Sequence, residues 1–429
     1  EIASCLVGSE MCIRDRYYKI NHPSGLTIYV YPKDGYNSAY AIFGTRYGSI
    51  NTKFSVDDGE TITVPDGIAH YLEHKLFESE DGDAFVRYAQ TGANANAYTS
   101  FEKTCYLFSC TEKFDESLEI LLDFVQSPYF TAQTVAKEQG IIGQEIKMYD
   151  DAPDWRVMFN MLENMYHNHP VKIDIAGTVE SIAEITAEKL YEVYNVFYNL
   201  NNMVLCVSGN VTVDKVLKTA DRLLKPSEKH TIHNVFENEP YEIVKPYVEQ
   251  EFSVSMPIFN LGFKEKADCV KGDAQAAHTD ILLFLLASET SELYRKLLDA
   301  NLINSSFSYE LFDGPGYCSV IFGGESREPQ KAAKMIKDYI VKLKENGIDK
   351  EEFEIAKKSI YGDTVASLNS VDTISNILAD YHFKGNNMFD YIDEIANATI
   401  EDVTKRLDCM LDVNNCTLSV VKPIQDGEK

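Results

Sequence analysis

The chain has 429 residues, 45% of them hydrophobic, and is therefore long enough to bury the cores of two domains. Its 67 acidic residues outnumber 40 basic residues and give a formal net charge of −27, which argues against nucleic acid or an anionic membrane surface as a partner. No apolar run approaches the roughly eighteen residues that a transmembrane helix needs, so no membrane span is expected.

The N-terminal residues indicate whether the start of the sequence is native, and the cysteines indicate the cellular compartment. Residues 1–16 show no clear period and none of the basic and apolar regions of a secretory signal, and they are predicted to be a non-native or artefactual tail. The later cysteines have no C-x-x-C spacing, and several, including Cys105, Cys206 and Cys318, lie in apolar runs typical of strands. We expect free core cysteines in a reducing compartment, with the cytoplasm as the default location.

Two strands are predicted to open the folded part of the chain. Residues 25–31 alternate between polar and apolar types, and residues 38–50 follow after a Lys33-Asp34-Gly35 turn. The strands lead into a helix that carries the main chemical motif of the chain.

This helix is entered through a Pro-Asp-Gly turn in which Asp66 is the predicted N-cap. At about 100° per residue, His70, Glu73 and His74 fall on one face. Two imidazoles one turn apart can hold one zinc ion, and the carboxylate between them suits a general base beside the metal. This is the inverted H-x-x-E-H form of the zinc peptidase motif. A pair of histidines without a metal is the alternative, so a third ligand is needed.

A possible sheet edge follows a short helix over residues 84–90. Residues 92–104 are small and polar, which suits an edge strand that could add a substrate peptide as a further strand. A plain loop leading into the strand 105–110 is the alternative. An amphipathic helix is then predicted over residues 115–127.

The third ligand is predicted in a partly buried helix over residues 134–149. Glu138 and Glu145 are seven residues apart and therefore point the same way. A catalytic zinc takes three protein ligands and keeps one open position, and Glu145 is our third ligand. Glu138 is better suited to orienting a ligand or a bound water. An ordinary solvated helix face is the alternative for this pair.

Further along the chain, His167 and His169 are expected to lie in a loop or at a helix end rather than on a metal. Residues 202–211 form a continuous apolar strand typical of a sheet interior. Residues 226–250 are charged and carry prolines, which predicts an inter-domain linker.

The rest of the chain is a diverged copy of the first half. Strands around 252–263 and 318–323 and helices at 329–347 and from 349 repeat the earlier order, with Ala356 in place of Glu138 and Asp363 in place of Glu145. Residues 279–298 contain no H-x-x-E-H. The predicted domains are a zinc-bearing domain at 17–225, the linker at 226–250 and a homologous metal-free domain at 251–429 that shapes the substrate chamber.

The sequence G-x-A-H-x-x-E-H, followed about seventy residues later by E-x6-E, resembles the pitrilysin/insulinase family of inverted-motif zinc peptidases. The resemblance covers nearly the whole chain after the tail. It implies an α+β fold of two homologous domains, each a mainly antiparallel β-sheet with helices packed on one face. It also implies one Zn²⁺ per chain on His70, His74 and Glu145, with Glu73 and Glu138 as catalytic residues.

By the same resemblance, Asn96, Ala97 and Tyr98 belong to the substrate-binding edge strand, with Asn96 and Tyr98 facing the scissile bond. The edge-strand interpretation of residues 92–104 is therefore favoured over a loop.

Family members also carry an Arg and a Tyr seven residues apart in the second domain, where they contact the substrate carbonyl. Leu298 and Ser305 occupy the aligned positions here. Arg295 and Tyr309 are nearby candidates for the same role, but they do not have the family's spacing of seven residues. We therefore expect a heterodimer in which a zinc-less homologous chain supplies the Arg and the Tyr, or a homodimer.

The expected function is zinc-dependent endopeptidase cleavage of peptides or small unfolded proteins, in peptide processing or maturation. Two alternatives remain open. One is a non-catalytic scaffold subunit of the same fold, and the other is a zinc hydrolase of a small molecule. The complete H-x-x-E-H motif favours an enzyme, and the edge-strand motif favours a peptide as its substrate.

Overall fold

The computed structural model describes residues 17–80 and 82–424, so the predicted tail at 1–16 lies outside the described residues. The strands, in chain order, are β1 (Tyr18–Asn21), β2 (Thr27–Pro32), β3 (Ala39–Thr45), β4 (Lys53–Val56), β5 (Ile62–Thr63), β6 (Glu78–Ser79), β7 (Gly82–Asp83), β8 (Asn94–Thr99), β9 (Thr104–Cys110), β10 (Met203–Gly209), β11 (Ile232–Asn234), β12 (Tyr247–Phe252), β13 (Ile258–Lys264), β14 (Ser308–Gly314), β15 (Tyr317–Glu325) and β16 (Cys416–Pro423).

The helices, in chain order, are α1 (Ile68–Leu76), α2 (Ala84–Thr91), α3 (Phe114–Val125), α4 (Ala132–Asp150), α5 (Pro153–Met165), α6 (Val179–Ile182), α7 (Ala187–Phe197), α8 (Val213–Leu223), α9 (Gly272–Ala287), α10 (Glu292–Asp299), α11 (Pro329–Asn346), α12 (Lys350–Ser367), α13 (Val371–Lys384), α14 (Met388–Asn397) and α15 (Ile400–Cys409). Among the residues described, no helix combines the length and the apolar composition needed to cross a membrane.

The chain forms two compact units, each assembled from three segments. Of the described residues, the first unit contains those up to Gly143 together with Ile175–Val235 and Ala366–Phe389. The second contains Gln144–Asp174, Phe236–Val365 and the described residues from Asp390.

The first unit is built on a six-stranded sheet in the order β1-β2-β10-β3-β9-β8. Its pairs are antiparallel except for β2 with β10. All seven residues of β10 are buried, as the apolar run at 202–211 predicts for an interior strand. The strand β8 lies at the edge of this sheet, as predicted for residues 92–104.

The second unit repeats this plan with a five-stranded sheet in the order β12-β16-β13-β15-β14. Here too one pair, β12 with β16, is parallel, and the others are antiparallel. The order matches β2-β10-β3-β9-β8 strand for strand. The predicted α+β fold with two homologous halves is therefore confirmed.

Helices cover both faces of the first sheet, whereas the resemblance predicted helices on one face only. On one face Tyr106 and Phe108 contact Phe124 and Phe114 of α3. On the other face α13 packs against β10 and β3, where Asn376 donates a hydrogen bond to the Tyr40 hydroxyl at 3.1 Å. In the second unit α5 packs against β16 and β13.

The compact units differ from the contiguous boundaries expected at 17–225, 226–250 and 251–429. Each sheet takes one helix from the other half of the sequence, α13 for the first and α5 for the second, and a division in chain order cannot represent this exchange. The expected linker also contains β11, which pairs with β4, and the start of β12.

Candidate active site

The helix α1 is positioned at its N-terminus by backbone rather than by a side-chain cap. Gly67 is the N-cap in place of the predicted Asp66, and its φ of 84° is in the left-handed region. A Cβ on Gly67 would lie 2.3 Å from the carbonyl oxygen of Ala176, so only glycine fits. The carbonyl of Asp66 accepts a hydrogen bond from Ser181 Oγ at 2.9 Å, which joins this turn to α6.

Three predicted metal ligands come together. His70, His74 and Glu145 each place one ligand atom within 4.8 Å of the others. The two imidazoles project from adjacent turns of α1 with ring centroids 4.6 Å apart. Glu145 projects from α4, a single continuous helix that also carries Glu138. Two imidazole nitrogens and a carboxylate oxygen are a donor set that suits catalytic Zn²⁺, so these residues fit the metal that the motif predicts.

Glu138 contacts one of these predicted ligands. Its Oε1 lies 3.1 Å from Nδ1 of His74. An ionised carboxylate can only accept a hydrogen bond, so His74 carries its proton on Nδ1 and presents Nε2 for coordination. The hydrogen bond from His74 lowers the pKa of Glu138 despite partial burial, which keeps this carboxylate charged.

Glu145 is held by a residue that the sequence analysis did not single out. The hydroxyl of Tyr149 donates to Glu145 Oε1 at 2.7 Å, and its ring stacks on Trp155 at 4.7 Å between centroids. Tyr149 lies four residues after Glu145, one helical turn away, and this spacing is the signal that could have identified it.

Glu73 is held by the edge strand. Thr99 Oγ1 donates to Glu73 Oε2 at 2.6 Å, and sequence reasoning did not name this contact. Tyr98, expected to face the scissile bond, instead directs its hydroxyl to Asn376 at 3.4 Å, and burial raises its pKa well above the usual range. Side chains alternate along a strand, so a strand that sends Thr99 toward Glu73 sends Tyr98 to the opposite face.

A pocket of about 500 Å³ adjoins these residues in the first unit. Glu73, His74 and Glu138 line one part of it. Phe85 and Ile141, which are 45% and 48% exposed, contribute an apolar wall. The remaining lining includes the predicted strand residues Asn96 and Ala97 together with Phe77, Glu78, Glu80, Asp83 and Lys137.

One wall of this pocket carries a fixed carboxylate. Lys75, which follows His74 directly, is fully buried, and its ammonium group pairs with Glu78. A buried ammonium needs such a partner because an isolated charge loses its hydration. The charge of Glu78 is therefore already neutralised by Lys75.

The described part of the second half contributes no comparable group of metal-binding side chains. Within residues 17–80 and 82–424, no other set of three His, Cys, Asp or Glu side chains converges as closely. His169 instead lies 2.9 Å from the Pro315 carbonyl through Nε2 and accepts from the Val171 amide through Nδ1. Arg295 is exposed on α10, and Tyr309 on β14 has a pKa raised to about 12, mainly by burial.

Comparison with known proteins places these features in a family. Residues 56–179 match the model described as Insulinase (Peptidase family M16), and residues 184–360 match the Peptidase M16 inactive domain. The uncharacterized zinc protease YmfH of Bacillus subtilis (strain 168) is 39% identical over 418 residues, which cover 96% of this chain and 97% of that protein. The chain belongs to the insulinase family, peptidase family M16.

Other relatives agree with this assignment. The crystal structure of an M16-like peptidase from Alicyclobacillus acidocaldarius has a TM-score of 0.92 at 35% identity and covers 95% of this chain and 98% of its own. The beta subunit of the mitochondrial-processing peptidase of Caenorhabditis elegans is 32% identical over 163 residues, 36% of this chain and 35% of that subunit. YmfH and a second Bacillus subtilis relative, YmxG, are named as zinc proteases, which supports a peptidase-like function.

Proposed function

We propose that the chain is a zinc-dependent endopeptidase that hydrolyses peptides or small unfolded proteins during peptide processing or maturation. The observation that carries this proposal is the group formed by His70, His74 and Glu145, with ligand atoms within 4.8 Å of one another. Membership of the M16 family and the zinc-protease names of its relatives support it.

The roles of the residues follow from their positions. Zinc, when bound by His70, His74 and Glu145, would supply the Lewis acid that lowers the pKa of water and polarises a carbonyl. Glu73 takes a proton from the attacking water and delivers it to the leaving amine. Thr99 keeps the Glu73 carboxylate in place by its hydrogen bond of 2.6 Å.

An extended peptide fits beside these residues. β8 ends the sheet, so a substrate can pair with the backbone of Asn96, Ala97 and Tyr98 as an added strand. The pocket between Phe85 and Ile141 is then positioned to receive one substrate side chain with an apolar surface.

A partner chain completes the proposed site. The aligned positions of the family's Arg and Tyr hold Leu298 and Ser305, so a zinc-less homologous chain, or a second copy of this one, would supply the carbonyl contacts. A mitochondrial relative is itself named as a subunit of a processing peptidase. We propose the cytoplasm as the compartment, with no nucleic acid involved.

The first test measures zinc per purified chain in the parent and in Glu145→Gln. We expect about one zinc in the parent and a sharp loss in the variant, because a neutral amide is a poor zinc ligand. A parent that takes up no zinc even after reconstitution would overturn the proposal.

The second test measures cleavage of a panel of peptides and small-molecule amides by the parent and by Glu73→Gln, each loaded with zinc. We expect the parent to cleave peptides and Glu73→Gln to lose at least about a hundredfold in rate while keeping its zinc, since the general base is gone. Equal rates in the parent and in Glu73→Gln would favour a non-catalytic scaffold subunit. Cleavage of small-molecule amides alone would favour a zinc hydrolase of a small molecule.

A further inference from the structure

Two cysteines far apart in sequence meet in the second unit. Cys269 lies in the loop between β13 and α9, and Cys318 lies in β15. Their Sγ atoms are 2.8 Å apart although 49 positions separate them in the chain. Both are free thiols in the structure. A disulfide bond is about 2.05 Å long, so bond formation between them requires the sulfurs to move by less than about 1 Å.

A buried guanidinium group lies beside this pair. Arg406 of α15 is 7% exposed. It donates to the Cys269 carbonyl at 3.0 Å and to the Thr279 hydroxyl at 3.0 Å. It also donates to the sulfurs of Cys409 and Met410 at 3.8 Å and 2.8 Å. All four of these partners are uncharged, so a nearby thiolate would be favoured by the positive charge.

The two thiols are not equivalent. The hydrogen bond with Cys318 lowers the pKa of Cys269 against burial and the Glu265 carboxylate, which raise it, and Arg406 acts in the same direction as the hydrogen bond. The same hydrogen bond raises the pKa of Cys318 well above its usual range, and burial adds to this. Of the two thiols, Cys269 therefore ionises more readily, and Cys318 is the proton donor in the hydrogen bond. Cys269 is also half-buried, whereas Cys318 is buried, so a reagent reaches Cys269 first.

We propose that Cys269 and Cys318 form a thiol–disulfide exchange site that a low-molecular-weight disulfide oxidises reversibly. The Cys269 thiolate attacks one sulfur of the reagent, forms a mixed disulfide and releases one thiolate. Cys318 then loses its proton and attacks the Cys269 sulfur, which forms the Cys269–Cys318 bond and releases the second thiolate. Two electrons pass from the cysteine pair to the reagent, which leaves as two thiols.

The bond would join the loop before α9 to β15, which lies between β13 and β14 in the sheet. It would close a long segment of chain and restrict the unfolded state, so oxidation should raise the midpoint of thermal unfolding by roughly 5–10 °C. A thiol reductant should return it to the starting value.

The experiment incubates the full-length protein with oxidised glutathione, blocks the remaining thiols with a maleimide and counts the blocked thiols by mass spectrometry. We expect a loss of two thiols, a peptide that links Cys269 to Cys318, and recovery with dithiothreitol. Cys206→Ser removes a buried cysteine of β10 in the other unit and should lose two thiols as the parent does.

Variants of the pair separate the two steps. Cys318→Ala should stop at a glutathione adduct on Cys269, and Arg406→Gln should slow formation of that adduct at least several-fold. Circular dichroism under reducing conditions checks that each variant is folded. The proposal is overturned if the folded parent keeps all its thiols or is oxidised only at Cys409, which is exposed. It is also overturned if Arg406→Gln reacts as fast as the parent.

Discussion

At the scale of single residues, the site depends on side chains that hold the proposed ligands rather than on the ligands alone. Glu138 holds His74 at 3.1 Å, Tyr149 holds Glu145 at 2.7 Å, and Thr99 holds Glu73 at 2.6 Å. Each contact fixes the orientation of a group whose angle toward a metal or a water decides its usefulness.

We predict that Tyr149→Phe weakens zinc affinity by about tenfold to a hundredfold, because Glu145 loses its hydrogen bond while the ring stack on Trp155 remains. Competition with a chelator measures this. Tyr36→Phe is the matched control, since its hydroxyl donates to the Asn369 carbonyl and lines no part of the site. Equal zinc affinity in Tyr149→Phe and Tyr36→Phe would contradict the role given to Tyr149.

The pocket gives a second prediction at this scale. Ile141→Glu places a charge in the apolar wall of the pocket. We expect kcat/KM for peptides with an apolar side chain to fall by about tenfold or more, because the side chain loses apolar contact, while the zinc content stays unchanged. Val86→Glu places the same charge on another exposed apolar residue that does not line the pocket. If both variants cleave like the parent, the pocket does not bind the substrate.

At the scale of elements, the loop after α5 is held by hydrogen bonds to a single carboxylate. Glu239 accepts backbone hydrogen bonds from His167, Asn168 and His169 at 2.7–2.8 Å and pairs with the buried Lys264. The backbone of the His-Asn-His sequence is therefore held in a loop, which is where the sequence predicted these residues to lie.

This loop predicts a pH dependence of stability. Burial lowers the pKa of His169 to about 4 from its ordinary 6.5. Between pH 4 and pH 6.5, His169 is therefore protonated in the unfolded chain and neutral in the folded chain. The free energy of unfolding falls by at most about 3 kcal/mol as the pH drops from 6.5 to 4.

Urea unfolding at several pH values measures this slope. His169→Gln cannot titrate and should reduce the slope, whereas His167→Gln removes an exposed imidazole and should leave it unchanged. If the free energy of unfolding has the same slope against pH in His169→Gln and in the parent, His169 is not the source of the pH dependence.

At the scale of the whole molecule, neither half of the sequence contains a complete unit. The first sheet needs α13, whose Ile374 and Leu378 are buried, and the second sheet needs α5. The repeated strand order shows two homologous halves, yet each half donates a helix to the other.

We therefore predict that residues 17–235 do not fold alone, because the face of β3 and β10 that α13 covers would be exposed to water together with the apolar face of α5. Expression as a separate fragment should give aggregated or loosely packed protein. Co-expression with residues 236–424 should restore a soluble complex, since both units are then complete. A monomeric 17–235 fragment with a cooperative unfolding transition would contradict this.

Most of the fold and the centre of the site could be predicted from local patterns. The interior strand β10 follows from its apolar run, and the edge strand β8 from its small polar residues. His70, His74 and Glu145 could be named together because helical spacing places the two imidazoles on one face and the family resemblance identifies the carboxylate. The N-cap was missed because the close approach of Ala176 to Gly67 is not a local property.

The sequence by itself determined the elements, the duplicated plan and the zinc motif, since each depends on residues a few positions apart whose spacing sets which face they share. Only the tertiary structure decided that Thr99 holds Glu73, that Tyr98 turns to Asn376, that α5 and α13 change units, and that Cys269 meets Cys318. These contacts join residues far apart in the chain. They arise because burying apolar surface brings distant segments together, and the spacing of apolar residues within one segment does not determine which other segment it will contact.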